Sequence, residues 1–228
     1  MVDVSVLITC KDKEKYLDDC ISSVLRQTKE PKEIIVVHDE CTEPMHHAAV
    51  TSIMLKTNLG VCGARKEAFR YSSGQLILFL DGDDVISPDY LEKMILVISK
   101  GADISYPDMY FFGDTEKHIG IAPNKIEPSL IKKLGKFPIP VTCLMKREVY
   151  EKNGGFKQWE VSEDIDFWLR AMCNGYTFKK AQTLLWYRQK LNGRNIMDPA
   201  KKRKIFDEIF AQFTFVGNKI LQKGGSHG

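Results

Sequence analysis

Residues 76–84 read Leu76-Ile77-Leu78-Phe79-Leu80-Asp81-Gly82-Asp83-Asp84, an apolar run that ends in three carboxylates around one glycine. Five consecutive apolar residues suit one buried β-strand and are too few to cross a bilayer. Carboxylates crowded at a strand end repel one another, and a divalent cation would relieve that repulsion. Asp-x-Asp is an oxygen-rich arrangement that Mg²⁺ or Mn²⁺ accepts. Because such a cation can hold a diphosphate, we interpret Asp81, Asp83 and Asp84 as the metal end of a nucleotide-diphosphate site.

A structural interpretation of the same carboxylates is also open at this point. The following residues Ser87-Pro88-Asp89 are a good helix start, so the acidic turn could simply cap the next helix. The placement of polar residues after the other strands decides between the two interpretations.

The chain before this stretch predicts alternating strands and helices. Val4–Ile8 and Ile34–Val37 are β-branched, apolar runs typical of buried strands, and an amphipathic helix over residues 16–25 separates them. A strand, a helix and a strand within about 35 residues indicate a right-handed parallel crossover. We expect an α/β fold, a single domain with a Rossmann-like, mostly parallel central sheet flanked by helices. Further expected elements are a short helix over 44–52, a strand over 53–55 and a helix running through Phe69 and Tyr71.

Polar residues follow each of these strands directly. They are Thr9, Asp39, the loop from Asn58 through Gly60 to Arg65, and the carboxylates from Asp81 to Asp84. In doubly wound sheets, ligands bind outside the carboxyl ends of the strands, near a switch in strand order. A random distribution of surface polar residues would not favour this placement, so the pattern favours a ligand site.

Two side chains are expected to begin helices, and the second half of the chain has less regular patterns than the first. Asp12 and Ser162 are candidate N-caps for the helices that follow them. Three acids open the second of these helices, which suits the helix dipole and is a structural explanation for Glu163 and Asp164. The remaining expected elements are helices over 88–100, 128–134, 147–152 and from 199 to 216, strands over 103–106, 110–112, 141–145 and 183–187, and a hairpin strand over 118–122.

Composition describes an ordinary soluble globular protein. The chain has 228 residues, 43% hydrophobic and 28% charged, and its net charge of +3 permits an anionic ligand without indicating nucleic-acid binding. We expect neither a signal peptide nor a transmembrane segment, and therefore a cytoplasmic protein. The six cysteines form no Cys-x-x-Cys pair, which argues against a structural zinc site and favours mostly buried thiols. Residues 224–228 resemble a linker added for expression.

The order of motifs resembles glycosyltransferase family 2, the large inverting group with the GT-A fold. The resemblance runs from Val4 to about Arg188, and five motifs in the right order carry it. They are Ser23-Val24-Leu25-Arg26-Gln27-Thr28, the strand and loop from Ile34 to Thr42, the Asn-x-Gly-x-x-x-Ala-Arg loop from Asn58 to Arg65, the Leu-Asp-x-Asp-Asp motif from Leu80 to Asp84, and the segment from Lys146 to Arg170 with Gly-Gly-Phe and Glu-Asp-x-Asp-x-Trp-Leu-Arg.

This resemblance implies transfer of a sugar from a nucleotide diphosphate, with UDP-sugar as the expected donor, to an acceptor hydroxyl with inversion. Residues 1–100 would form a nucleotide-sugar-binding half, and residues 101–223 an acceptor-binding and catalytic half with a C-terminal helix. The implied acceptor is a carbohydrate or a glycolipid, and a nucleic acid is a less favoured one. A homodimer and peripheral association with a membrane are also compatible with the pattern.

The resemblance also implies residue roles. Asp83, helped by Asp81 and Asp84, would hold Mn²⁺ or Mg²⁺, and Asp164 would be the general base, with Asp166 as second candidate. The implied donor contacts are Thr9, Asp39, Asn58, Gly60, Arg65 and Asp81, while Glu163 would orient the acceptor and Gly154-Gly155 would let it approach the backbone.

Three departures from the family pattern stand out. His38 and Glu40-Cys41 replace the usual Asp and Gly-Ser, which affects base and ribose contacts, and Lys66 stands where Asn is common. Lys190 replaces a histidine that can reach the metal or the diphosphate. A protonated lysine cannot ligate a metal but can pair with a phosphate.

Other functions fit the sequence less well. A nucleotidyltransferase would have a glycine-rich loop with Arg and Lys after the first strand, where this chain has Thr9-Cys10-Lys11-Asp12. A processive polysaccharide synthase would need membrane helices and a Gln-x-x-Arg-Trp motif. A non-catalytic sugar-nucleotide-binding module of the same fold is the remaining alternative, and the retained carboxylates argue against it.

Overall fold

The structure of this chain, a computed structural model, describes residues 2–41, 47–134, 137–190, 198–217 and 219–223. The first half alternates strands and helices, as its hydrophobic periodicity predicts. Its elements are β1 (Val2–Cys10), α1 (Glu14–Leu25), β2 (Pro31–Asp39), β3 (Thr51–Leu55), α2 (Gly60–Arg70), β4 (Leu76–Asp81), β5 (Val85–Ile86) and α3 (Tyr90–Ser99).

The second half has longer strands and shorter helices. The expected hairpin strand near 118–122 and the helices over 128–134 and 147–152 are confirmed. Its elements are β6 (Ile104–Gly113), β7 (His118–Gly120), α4 (Pro128–Leu134), β8 (Leu144–Lys146), α5 (Arg147–Lys152), α6 (Glu163–Cys173), β9 (Phe178–Gln189), α7 (Pro199–Ala211), β10 (Phe213–Val216) and β11 (Lys219–Gln222).

One sheet runs through both halves, in the order β3-β2-β1-β4-β8-β6-β9-β5, with β7 paired to β6. The strands β3, β2, β1 and β4 are parallel, so their carboxyl ends meet at one edge. Strand β8 is antiparallel to β4 and to β6, whereas β6 and β9 are parallel. The α/β fold with a mostly parallel central sheet is confirmed, and the second half contributes its antiparallel part.

The core lies in two layers, one on each face of the sheet. Successive side chains of a strand point to opposite faces, so Phe79 packs in one layer and Leu80 in the other. Helices α1 and α3 cover the face of Leu80, while α2, α5 and α6 cover the face of Phe79. Full burial of each such side chain contributes about 1.5–3 kcal/mol, which holds the strand ends in fixed positions.

The expected helix over residues 44–52 is wrong for residues 47–52, which the structure describes. Residues 48–50 form a turn, and β3 starts at Thr51, two residues earlier than expected. Pairing of Thr51 with Ile35 of β2 extends the strand at its start, a tertiary contact that local helix propensity does not anticipate. Residues 42–46 lie outside the described residues.

Of the two expected N-caps, Ser162 does stand at the N-cap position of α6, whereas the N-cap of α1 is Lys13 and not Asp12. Asp12 and Ser162 have left-handed backbones, with φ of 53° and 64°, and neither side chain caps its helix. An N-cap side chain reaches the first helical N–H groups from an extended backbone. The left-handed turns instead redirect the chain into α1 and α6 at the edge where the polar residues gather.

Three further expectations need correction. The two strands expected over 103–106 and 110–112 are one strand, β6, with an irregularity at Pro107. The strand expected over 141–145 is only β8, because Cys143 N–H bonds back to the Val141 carbonyl and bends the chain there. The last helix ends at Ala211, and the β10–β11 hairpin contains Phe213 and Val216.

The cysteines follow the expectation of mostly buried thiols. Cys10, Cys20, Cys62 and Cys143 are buried, Cys41 and Cys173 are partly exposed, and all six are free thiols. Among the described residues, no helix has the length and apolar character that a bilayer crossing requires. Residues 224–228 lie outside the described part of the chain, and the functional division near residue 100 stays a prediction.

Candidate active site

The three carboxylates after β4 are held in a tight turn against β1. Gly82 donates its N–H to the Thr9 carbonyl at 3.0 Å, and Asp84 N–H bonds to the Asp81 carbonyl at 2.9 Å. A side chain on residue 82 would place its Cβ only 3.1 Å from the Thr9 oxygen. Glycine therefore allows the close approach that brings Asp81 and Asp83 together beside β1.

Two lysines neutralise Asp83. Lys13 Nζ lies 2.6 Å from Asp83 Oδ1 and 3.9 Å from Asp81 Oδ2, and Lys190 Nζ lies 2.6 Å from Asp83 Oδ2. Burial alone would lower the pKa of Lys13, but the charges of Asp81 and Asp83 outweigh it and raise that pKa. The two ammonium groups therefore reduce the repulsion between the carboxylates, as a bound divalent cation would.

Asp84 differs from its two neighbours because it faces the protein. It is buried, and its Oδ1 accepts the Arg188 backbone N–H at 2.9 Å. Arg188 Nε also donates to the Asp83 carbonyl at 2.9 Å, and its guanidinium lies over the Tyr16 ring. Burial, followed by the nearby charges of Asp83 and Asp81, raises the pKa of Asp84. Asp84 therefore fastens the end of β9 to the turn, which places Lys190 beside Asp83.

Arg65 joins the carboxylate turn to the start of α6. Its Nη2 lies 3.1 Å from Asp81 Oδ1, and its Nη1 lies 2.7 Å from Glu163 Oε1. The Arg65 side chain is only 3% exposed. Desolvation would lower the pKa of Arg65, but Asp81 and Glu163 raise it. Thr9 Oγ1 also lies 3.5 Å from Asp81 Oδ1, which completes this polar group.

Asp164 lies next to Glu163 in the first turn of α6. Its carboxylate retains some solvent contact at the cleft, yet the surrounding protein removes most of its hydration. This burial, with a smaller effect of the neighbouring Glu163, raises the pKa of Asp164 to about 7, although Arg65 and backbone N–H groups oppose the shift. A carboxylate with such a pKa accepts a proton readily near neutral pH.

The second candidate base and the double glycine have structural roles. Asp166 is fully buried and accepts Arg170 Nε and Nη2 at 2.9 and 2.7 Å. Asp166 therefore does not line the cleft, and this placement favours Asp164 over Asp166 as the candidate base. Gly155 accepts Arg170 Nη2 at 2.8 Å through its carbonyl, and Gly154 and Gly155 have φ of 74° and 65°.

The residues predicted to contact the donor near β2 are arranged around the carboxyl end of that strand. Asp39 Oδ1 accepts the Leu59 N–H at 2.7 Å, and Asn58 Oδ1 accepts the Gly60 N–H at 2.9 Å. Asn58 is exposed and shapes the start of α2, whereas Asp39 lines the cleft. Asn58 and Gly60 thus lie beside the site, and Asp39 lies within it.

A single cleft of about 1450 Å³ brings most of these residues together. This volume exceeds the roughly 300–1,000 Å³ of a pocket for one small molecule, so it has room for a donor and an acceptor. The predicted site residues that line it are Thr9, Asp39, Arg65, Asp81, Asp83, Asp84, Glu163, Asp164 and Lys190.

Sequence reasoning missed Lys13 and Arg188. Lys13 follows the end of β1, so the rule that found Thr9 could also have found it. Arg188 stands two residues before Lys190, but only the fold shows that it bonds Asp83 and Asp84. The oxygen-only donors of Asp81 and Asp83 fit Mg²⁺ or Mn²⁺, provided that Lys13 moves to release Asp83.

A family model described as glycosyl transferase family 2 matches residues 5–154. An uncharacterised glycosyltransferase of Methanocaldococcus jannaschii is 26% identical in an alignment of 217 residues that covers 88% of this chain and 75% of that protein. An uncharacterised glycosyltransferase of Haemophilus influenzae is 27% identical, and the match covers 81% of this chain and 65% of that protein.

Other similar proteins have more specific names. The Escherichia coli enzyme named UDP-Glc:α-D-GlcNAc-diphosphoundecaprenol β-1,3-glucosyltransferase is 31% identical in an alignment of 142 residues that covers 58% of this chain and 56% of that protein. Residues 1–349 of Staphylococcus aureus TarS, solved in complex with UDP-GlcNAc, superpose with a TM-score of 0.73 at 19% identity. The match covers 92% of this chain and 66% of the TarS chain, so this chain spans about two thirds of that structure. The likeness to TarS confirms the GT-A fold, and the family match over residues 5–154 shows that this chain belongs to glycosyltransferase family 2.

Proposed function

We propose that this chain transfers a sugar from a UDP-sugar to an acceptor hydroxyl with inversion at the anomeric carbon. The observation that carries the proposal is one cleft that contains both the carboxylate pair Asp81 and Asp83 and the separate carboxylate Asp164. The first pair suits a cation that binds a diphosphate, and Asp164 suits removal of a proton. Arg65 links the two groups through Asp81 and Glu163.

The donor is assigned from the names of two relatives and from the position of Asp39 at the edge of the sheet. Two Escherichia coli relatives carry UDP-Glc and UDP-Gal in their names, which favours uridine as the base. Asp39 lies at the carboxyl end of β2, where ligands of such sheets bind. We assign Asp39 to the nucleobase, Thr9 to the nucleoside and Arg65 to the diphosphate side of the site.

Asp83 and Asp81 would hold Mn²⁺ or Mg²⁺, with Asp84 bracing the turn. When bound, such a cation acts as a Lewis acid that stabilises the departing diphosphate. Lys13 and Lys190 both contact Asp83. Once a divalent cation occupies this carboxylate, the two ammonium groups would pair with the phosphate oxygens, where they add to the stabilisation of negative charge.

Asp164 would act as the general base. The acceptor hydroxyl attacks the anomeric carbon from the face opposite the diphosphate, its proton passes to the Asp164 carboxylate, and the bond from the anomeric carbon to the diphosphate breaks. Glu163 is held by Arg65 at 2.7 Å, so it can orient the acceptor without moving. The neighbouring negative charge of Glu163 also keeps Asp164 basic enough to accept the proton.

The acceptor would be a carbohydrate or a lipid-linked glycan. Two relatives are named for acceptors attached to diphosphoundecaprenol. In this chain the cleft has basic and apolar walls, including Lys202 and Arg203 of α7 and the 79% exposed Ile121. Such a combination suits a charged headgroup beside an apolar chain, and therefore a protein that works at the surface of a membrane.

A donor screen by thermal unfolding tests this proposal. UDP-Glc, UDP-Gal and UDP-GlcNAc are added with and without Mn²⁺, and GDP-mannose serves as the base control. A UDP-sugar should raise the melting temperature, because a ligand that binds only the folded chain stabilises it. Asp83→Ala should remove the Mn²⁺-dependent part of the shift, while Asp18→Ala, an exposed acid of α1, should keep it. Equal shifts with GDP-mannose, or an unchanged shift in Asp83→Ala, would contradict the assignment.

A further inference from the structure

A cluster of two thiols and one imidazole lies at the carboxyl ends of β1 and β2. Cys10 is the last residue of β1 and pairs in register with His38 of β2, and Cys41 follows β2 by two residues. The sulfur atoms of the two cysteines and a ring nitrogen of His38 lie within 4.8 Å of one another. Cys10 and His38 are each only 1% exposed, whereas Cys41 is partly exposed.

A fourth side chain lies beside the group. Glu14, in the first turn of α1, has one buried carboxylate oxygen and lies close to Cys41 and Cys10. The Cys41 side chain is also hydrogen bonded to Cys10, and its Sγ lies 3.2 Å from the Cys10 carbonyl. Two sulfurs and one nitrogen from separate segments thus lie close together, with the Glu14 carboxylate beside them.

This donor set is that of a zinc site. Zn²⁺ is bound in tetrahedral sites by thiolates, imidazoles and carboxylates, while Mg²⁺ and Mn²⁺ prefer oxygen. Zn–S bonds of about 2.3 Å and Zn–N bonds of about 2.0 Å set the ligand atoms of a tetrahedron roughly 3.5–3.8 Å apart. The two sulfurs and the imidazole nitrogen already lie within 4.8 Å of one another, so a small contraction of these three atoms would bring them around one ion.

We propose that Cys10, His38 and Cys41 bind one Zn²⁺ ion, with the adjacent Glu14 carboxylate turning in as the fourth ligand, at a site distinct from the carboxylate site of Asp81 and Asp83. Each cysteine thiol loses its proton to solvent when its sulfur bonds to the metal. The ion would tie the start of α1 and the segment after β2 to the end of β1. Thr9 and Asp39 are the chain neighbours of Cys10 and His38 and line the cleft, so the ion would fix the walls of the nucleoside side.

Cobalt substitution tests the site without any assay of activity. The purified chain is reduced, stripped with a chelator and titrated anaerobically with Co²⁺, and Zn²⁺ is then added. One equivalent of Co²⁺ per chain should give a thiolate-to-cobalt charge-transfer band, and Zn²⁺ should abolish it. Isothermal titration with Zn²⁺ in buffers of different ionisation enthalpy should show proton release on binding.

Variants assign the ligands. Cys41→Ser should weaken cobalt binding by more than about 100-fold, and its partial exposure favours a folded variant. Cys173→Ser is the matched control, because Cys173 is also partly exposed but stands outside the cluster, and it should keep the band. Asp83→Ala should keep it as well, which separates this ion from the one proposed for the carboxylates. His38→Gln tests the imidazole, with circular dichroism to confirm folding.

Three results would overturn the zinc assignment. The first is the absence of a charge-transfer band in the wild-type chain, and the second is a band that survives in Cys41→Ser. The third is a mass lower by two hydrogens in freshly purified, air-protected chain, which would mean that Cys10 and Cys41 form a disulfide instead. Donor binding is measured separately in the thermal screen, so loss of the zinc site and loss of the proposed transferase function give different outcomes.

Discussion

The Arg65 guanidinium lies 2.7 Å from Glu163, and these two residues are 98 positions apart in the chain. Arg65 stands on α2 of the first half, and Glu163 opens α6 of the second. The same guanidinium contacts Asp81 at 3.1 Å. One buried cation therefore fixes the distance between the carboxylates that suit a metal and the acid pair of α6.

Replacing this cation should destabilise the fold. Arg65→Met would leave Asp81 and Glu163 without their buried partner, and breaking a buried ion pair costs about 3–5 kcal/mol. Urea unfolding followed by circular dichroism measures the loss. Arg70→Met, on the same helix but with a side chain that is 66% exposed, should leave the unfolding midpoint unchanged. Equal midpoints for both variants would contradict a bridging role for Arg65.

Lys190 should affect the donor and the metal in opposite directions. Lys190→Ala removes a charge partner of the diphosphate, so the Kd for UDP should rise by about 10- to 150-fold, which corresponds to the roughly 1.5–3 kcal/mol of a charge-assisted hydrogen bond. It also removes an ammonium that competes for Asp83, so Mn²⁺ should bind more tightly. Calorimetry with UDP and paramagnetic resonance of Mn²⁺ measure the two effects. Lys179→Ala, exposed on β9, the strand that leads to Lys190, is the control, and weaker Mn²⁺ binding in Lys190→Ala would contradict the assignment.

The rate of transfer should depend on the protonation of Asp164. Burial and Glu163 raise its pKa to about 7, so the carboxyl is protonated and inactive as a base below that pH. We expect kcat/KM to rise with pH through a midpoint near 7 and to level off above it. Glu163→Gln removes the neighbouring negative charge and should shift the midpoint downward. A pH-independent kcat/KM, or an upward shift in Glu163→Gln, would contradict the base assignment.

Local patterns predicted the parts of the site that follow strands. Thr9, Asp39, Asp81 and Asp83 line one cleft because parallel strands end at the same edge, and that edge can be deduced from alternating strands and helices. The motif order of the family added Asp164, which no spacing argument on α6 distinguishes from a helix-capping acid.

Residues whose role depends on partners far along the chain could not be predicted. Asp166 resembles Asp164 in sequence, yet it faces inward to Arg170 because a two-residue step turns it to another side of α6. Lys13 attains its role only because the left-handed Asp12 turns the chain back toward Asp83. Cys10, His38 and Cys41 lack any metal-binding spacing, and only the register between β1 and β2 brings them together.

The Asp164→Asn variant tests the central claim, that a separate acid in the cleft deprotonates the acceptor. Asparagine keeps the size of the side chain and removes its capacity to take a proton. With the UDP-sugar found in the thermal screen, sugar transfer should fall by about 10²–10⁴-fold, while UDP binding measured by calorimetry with Mn²⁺ stays at the wild-type value. Transfer at the wild-type rate in Asp164→Asn would contradict the role of this residue as the base.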